Sequence, residues 1–151
     1  MPEQRTIERA RRDKREGKAP STQAGEFVRE EIDHIREGKH GARSTKQAIA
    51  IGLSKARRAG VALPPPKKGT TSAKTRRSAK SASAAGRAAK KKTMKSSARS
   101  RATKKALQRE GRSAASRSAL SRQARTAAKK RSAASRSAAA RKAARTRARS
   151  R

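Results

Sequence analysis

The sequence predicts a mostly α protein in two unequal parts. These are a small N-terminal helical hairpin of two to three helices and a long, intrinsically disordered basic tail with a helix-forming tendency. Three observations carry that expectation. Hydrophobic residues, alanine included, make up only 31% of the 151 residues, and Phe27 is the one aromatic side chain, so most of the chain lacks the apolar surface that offsets the entropy of ordering. Large apolar residues recur at helical spacing only before Pro64. The charge is split as sharply: residues 1–66 hold 15 Lys or Arg against nine acids, whereas residues 67–151 hold 30 against Glu110 alone, within a formal charge of +35. Pro64, Pro65 and Pro66 mark the junction, because such a run stops a helix and favours stiff extended backbone. The expected organisation is a helical head over 1–63, a proline-rich hinge over 64–69 and a tail over 70–151.

Three helical segments are legible in the head. The first, roughly Glu3 to Glu16, mixes acids and bases around Ile7 and meets Gly17; it is expected to be solvent-exposed. The second starts at Pro20-Ser21-Thr22, sets Ala24, Phe27, Val28, Ile32 and Ile35 mainly three and four apart, and closes at Gly38. In the third, Ser44 is the N-cap and Gln47 completes a capping box. Gln47 to Ala59 then places Ile49, Gly52, Leu53 and Ala56 on one face. Ile49, Ile51 and Leu53 also alternate by twos, but the cap, the length and the lack of a partner strand favour helix. Gly60 ends the segment, and Val61 and Leu63 can fold back onto it. Ile7, Phe27, Val28, Ile32, Ile35, Ile49, Ile51, Leu53, Val61 and Leu63 form a core below the usual requirement for so short a segment. A homodimer through the head is expected to enlarge it.

In the tail, 76 of 85 positions are Ala, Ser, Thr, Lys or Arg. Its larger apolar residues, Met94, Leu107 and Leu120, are too widely spaced for a buried stripe, and the RSAASRSA unit at Arg112–Ala119 and Arg131–Ala138 carries no hydrophobic face for a solenoid. No proline follows Pro66, and alanine and arginine favour helix while cation repulsion opposes it. Segments from about Arg99 onward are therefore expected to gain helix when a polyanion removes the repulsion.

The residues that carry chemistry elsewhere are sparse here. Cysteine is absent, which removes disulfides and thiolate metal sites. His34 and His40 are the only histidines; Glu30 lies one turn before His34, but no convergent ligand set is legible, so solvent-exposed histidines, no metal and no cofactor are expected. GKHGARST at Gly38–Thr45 evokes a phosphate loop. The pattern fails because His40 follows Lys39 and Asp33 stands where the leading glycine belongs. A hairpin turn before a capped helix is the better account, with the loop amides and Arg43 as a minor phosphate contact. Glu30, Glu31, Asp33 and Glu37 read as surface partners of Arg29, Arg36 and Lys39. No serine has a histidine and an acid arranged around it, so the chain is not expected to be an enzyme. The start lacks a signal-peptide apolar core and nowhere do 18 apolar residues run together, which predicts a cytoplasmic protein and no membrane partner.

A surplus this large exceeds what a solvated helix face needs. Duplex DNA offers one negative charge per about 1.7 Å, and each phosphate neutralised by Lys or Arg releases counterions. One buried phenylalanine supplies no stacking platform for single strands. The expected activity is non-sequence-specific binding and compaction of duplex DNA in the nucleoid. The alternatives are an RNA-binding basic protein, such as a ribosome-associated factor or RNA chaperone, and a protein-interaction head with a localising tail. The nucleic-acid contacts expected are Lys67, Lys68, Lys74, Arg76, Arg77, Lys80, Arg87, Lys90, Lys91, Lys92, Lys95, Arg99, Arg101, Lys104, Lys105, Arg109, Arg112, Arg117, Arg122, Arg125, Lys129, Lys130, Arg131, Arg136, Arg141, Lys142, Arg145, Arg147, Arg149 and Arg151. Lys39, Arg43, Lys46, Arg57 and Arg58 are the candidate head contacts.

STKQAIAIGLSKARRAG at Ser44–Gly60 resembles a family of small, basic, uncharacterised bacterial proteins with the core S-x-K-Q-A-I-A-I-G-L-S-x-A-R, over about 25 residues through Pro66. The AAKK and Ser-Arg units of the tail resemble the tails of bacterial histone-H1-like nucleoid proteins, which implies DNA binding by charge.

Overall fold

The structure, a computed structural model, describes residues 2–88 and 97–149. Among these the chain is all-α, with seven helices: α1 (Gln4–Arg15), α2 (Pro20–Arg36), α3 (Thr45–Arg58), α4 (Ala73–Arg87), α5 (Ser97–Gln108), α6 (Arg117–Lys129) and α7 (Ala133–Arg149). They fall into two compact units, Met1–Ser116 and Arg117–Arg151.

The helix ends follow local chemistry. Pro20 occupies the first turn of α2, where its missing N–H costs nothing. Ser44 caps α3 by accepting the Gln47 amide at 3.2 Å, and the Gln47 side chain reaches back to the Arg43 amide at 2.8 Å. The capping box is thus present, displaced by one residue on its return arm. Gly38, at φ 77°, turns the chain out of α2 in a conformation that glycine tolerates best.

Within the first unit, α2 pairs with α3, α1 lies on α2 and α4 lies on α3. Phe27, Ala10, Ala24 and Ala56 form a buried cluster, flanked by the partly buried Ile7, Leu53, Val61 and Leu63. Small residues govern the helix contacts. The buried side of α3 is Thr45, Ala48, Gly52 and Ala56, three and four apart. A Cβ at Gly52 would stand 2.7 Å from Val28 Cα, so glycine here sets how closely α3 approaches α2. Gly86 of α4 likewise faces the Arg57 carbonyl with no room for a Cβ. Ala79 and Ala82 of α4 are buried, as are Ala114 and Ala115 in a 3-10 turn at Ser113–Ala115.

Two expectations need correction. The first helix is not merely a solvated rod: Thr6, Ala10 and Asp13 of α1 are buried, Arg9 pairs with Glu26 at 2.6 Å, and Lys18 pairs with Asp13 at 2.9 Å. More broadly, the expected disordered tail is overturned, because α4 to α7 make most of the described C-terminal half helical. The expected gain of helix from about Arg99 on binding falls with it. High alanine and arginine propensity and the absence of proline already specify helix, Ser72 caps α4 by accepting the Thr75 amide at 3.1 Å, and α4 also has α3 to bury its alanines against. The second unit is different: neither α6 nor α7 buries any residue.

Candidate functional site

Helices with no buried face present their charges outward. From Lys67 onward, every Lys or Arg side chain the structure describes is exposed, except the half-buried Arg76. Lys90, Lys91, Lys92, Lys95 and Arg151 lie outside the described residues, as does the side chain of Arg99. On α7, Arg141, Arg145 and Arg149 are four apart and share one face; on α6, Arg122, Arg125 and Lys129 do the same at spacings of three and four. Like charges so placed repel by roughly 0.2–0.5 kcal/mol per pair, a cost that a neighbouring row of phosphates removes. The region's one carboxylate, Glu110, is faced by Arg43 of the head at 3.7 Å.

The head candidates diverge. Lys46 and Arg58 are exposed. Lys39 is exposed but engaged by Glu37 at 2.8 Å and Glu3 at 3.5 Å, and its hydrogen bond to Glu37 holds the ammonium pKa above its ordinary value. Arg57 turns inward, 7% exposed. Its Nη2 donates to the Pro64 carbonyl at 3.1 Å, its Nε has no hydrogen-bond partner, and burial pushes its pKa down. It borders a groove of about 760 Å³ shared with Leu63, Lys80, Ser83 and Arg87. The loop amides proposed for phosphate are already committed: Gly41 donates to the Leu107 carbonyl at 2.9 Å and Ala42 to that of Gly111 at 3.1 Å.

A second site lies between α2 and the loop that follows it. Glu30 and Glu31 are 4% and 0% exposed, so they are not the surface partners of Arg29 and Arg36 that helix spacing suggests. Both reach across to Lys55 of α3, whose Nζ stands 3.1 Å from Glu30 Oε1 and 2.7 Å from Glu31 Oε2. Burial alone lowers the Lys55 pKa, but Glu31 and Glu30 outweigh it and the ammonium is held above its ordinary value. The half-buried Asp33 and the exposed Glu37 do pair as expected, with Arg36 at 3.8 Å and Lys39 at 2.8 Å.

His34 and His40 are not the solvated histidines anticipated. Their side chains are 15% and 17% exposed, and their rings meet edge to face with centroids 6.3 Å apart. His34 Nε2 bonds Glu3 Oε1 at 2.8 Å, while His40 Nδ1 bonds the Gly41 carbonyl at 3.1 Å and its Nε2 lies 3.2 Å from Glu31 Oε1. Glu31, His34 and His40 each bring one potential ligand atom to within 4.8 Å of the others. Among the described residues, these three side chains are placed closely enough to share a metal ion.

Residues 2–68 match a family of unknown function, DUF6496. The matched region contains Ser44–Gly60 and extends well beyond it on the N-terminal side. It takes in α1 to α3, the buried cluster and the prolines, and leaves α4 to α7 outside. No curated protein and no solved structure matches the chain.

The pairing of Glu31 with the two histidines is hidden in the sequence because Glu30 and Glu31, four and three residues before His34, are equally near it along the helix. The usable signal is the five-residue gap between His34 and His40, which falls within the histidine spacing of zinc sites. Which of the adjacent glutamates joins them depends on how α2 is rotated against α3.

Proposed function

We propose that this protein is a non-enzymatic, nucleoid-associated factor that binds and compacts duplex DNA with little sequence preference, using the exposed cations beyond Pro66 in a histone-H1-like manner. The observation that carries this reading is 30 Lys or Arg against a single acid over residues 67–151, on helices that in the second unit bury nothing. Phosphate neutralisation with counterion release is the driving term, and its signature is a log–log salt slope near −0.9 per contact on B-DNA. Ten engaged cations would give a slope of about −9. Duplex DNA is favoured over single strands because stacking needs aromatic faces and Phe27, the sole aromatic, is 1% exposed. No helix among the described residues is long and apolar enough to cross a membrane.

The test is a salt-titrated mobility-shift assay on the full chain and on the variant Arg122→Gln/Arg125→Gln/Arg141→Gln/Arg145→Gln. The slope is expected to be steep and independent of DNA sequence, and to flatten by about 0.9 for each engaged cation removed, so by up to about 3.6. Affinity that ignores salt, or a quadruple variant with an unchanged slope, rejects the reading. Competition between labelled duplex and structured RNA at fixed salt decides between DNA and the RNA alternative.

A further inference from the structure

We propose that Glu31, His34 and His40 form a site for a divalent transition metal of the zinc type. The ligands are Glu31 Oε1, His34 Nδ1 and His40 Nε2, with water as the fourth. The proposal stands on the head alone and is independent of nucleic-acid binding.

Glu31 of α2 and His40 of the following loop come together at the site. Their atoms Oε1 and Nε2 are 3.2 Å apart, yet Glu31 Oε1 accepts no hydrogen bond although it is fully buried. With its proton on Nδ1, a neutral His40 ring has none on Nε2 to donate, so two acceptors face each other across 3.2 Å. Two ligands of a tetrahedral zinc ion, with bonds of about 2.0–2.2 Å, sit about 3.4 Å apart and both aim at a third point. The observed separation is that of a ligand edge.

Both histidines also have partners behind them. A metal-bound histidine hands its other ring nitrogen to a carboxylate or a backbone carbonyl, which fixes the ring and its tautomer. Both arrangements occur here: His34 Nε2 on Glu3 Oε1 at 2.8 Å, and His40 Nδ1 on the Gly41 carbonyl at 3.1 Å. A carbonyl can only accept, so His40 Nδ1 carries a proton, and in the neutral ring it is Nε2 that offers a lone pair on the side of Glu31. For His34 the same logic leaves Nδ1. Lys55 occupies Glu31 Oε2 at 2.7 Å, which leaves Oε1 as the oxygen for the ion. Two neutral imidazoles and one carboxylate are a ligand set that suits zinc and its neighbours. The ion would tie α2 to the loop leading into α3.

The experiment uses the untagged full chain near neutral pH. Cobalt(II) is the spectroscopic probe and zinc the competitor. One equivalent of cobalt is expected to produce the intense visible bands of a four-coordinate ion, zinc is expected to displace it, and zinc should raise the thermal midpoint because it binds only the folded chain. His34→Ala and His40→Ala should each weaken cobalt binding by at least about tenfold, with far-ultraviolet circular dichroism checking that the helices persist. Absence of cobalt bands together with no zinc-dependent shift overturns the proposal, as does binding that changes less than tenfold in a folded His40→Ala chain. Should an alanine variant lose its helices, X-ray absorption on the zinc-loaded wild type decides. The chain has only these two histidines, so two imidazoles in the first shell support the site and an all-oxygen shell overturns it.

Discussion

Three side chains show how single residues hold the head together. Phe27, 1% exposed, is the largest group of the buried cluster. Phe27→Ala should cost about 3–5 kcal/mol, a large share of the stability of any small domain, and denaturant unfolding followed by circular dichroism measures it. Ser44→Ala removes the acceptor for the Gln47 amide and should cost about 1 kcal/mol by the same assay. Glu30 brings pH dependence. Burial raises its carboxyl, but the Glu3 amide, the Thr6 hydroxyl and the Lys55 ammonium outweigh that and hold it below the ordinary carboxylate value. A carboxyl whose folded pKa is depressed contributes stability above its unfolded pKa and loses it as pH falls through the folded one. Glu30→Gln should therefore be less stable than the parent at neutral pH, with the gap closing under acid, as urea midpoints across a pH series would show.

At the scale of elements, α3 and α4 illustrate how small residues can be as decisive as large ones. Replacing Gly52 by alanine gains up to about 1 kcal/mol of helix propensity, but its Cβ would meet Val28 Cα at 2.7 Å and the Phe27 carbonyl at 3.0 Å. Overpacking against backbone costs about 1–3 kcal/mol, so Gly52→Ala should destabilise on balance. Gly25, in α2, has nothing within 4 Å of its Cβ position; Gly25→Ala should stabilise by about 0.5–1 kcal/mol. Thermal melts of the two variants test the contrast, and equal effects would refute the close approach at Gly52. The boundaries of α1, α2 and α3 were readable from Gly17, Pro20, Gly38, Ser44 and Gly60, because caps and breakers act through bonds to near neighbours. Helix in α4 to α7 is harder to read from the sequence because these segments carry no apolar stripe. Alanine and arginine need no such stripe to adopt helical backbone.

For the whole molecule, the charge boundary and the structural boundary do not coincide. Charge changes character at Pro64–Pro66, whereas the first compact unit runs to Ser116. Ala79, Ala82, Ala114 and Ala115 are buried in that unit, and Thr45 Oγ1 donates to the Ala114 carbonyl at 2.7 Å while Arg36 Nε donates to that of Ala115 at 3.0 Å. Truncation after Pro66 should thus lower the stability of the remaining helices, whereas truncation after Ser116 should leave their thermal midpoint nearly unchanged. Circular dichroism melts of the two truncations at equal concentration check this.

The amino-acid sequence by itself determined the three N-terminal helices, the Ser44 cap and the strongly cationic C-terminal half. Each depends on composition or on residues within one helical turn. Tertiary structure alone decided that Glu30 and Glu31 point inward to Lys55, that His40 returns to Glu31, that Arg57 is buried and that alanines beyond the prolines finish the core. The reason is physical: alanine, glycine and glutamate carry no pattern that announces burial, and their environment is set by whichever distant segment comes to face them.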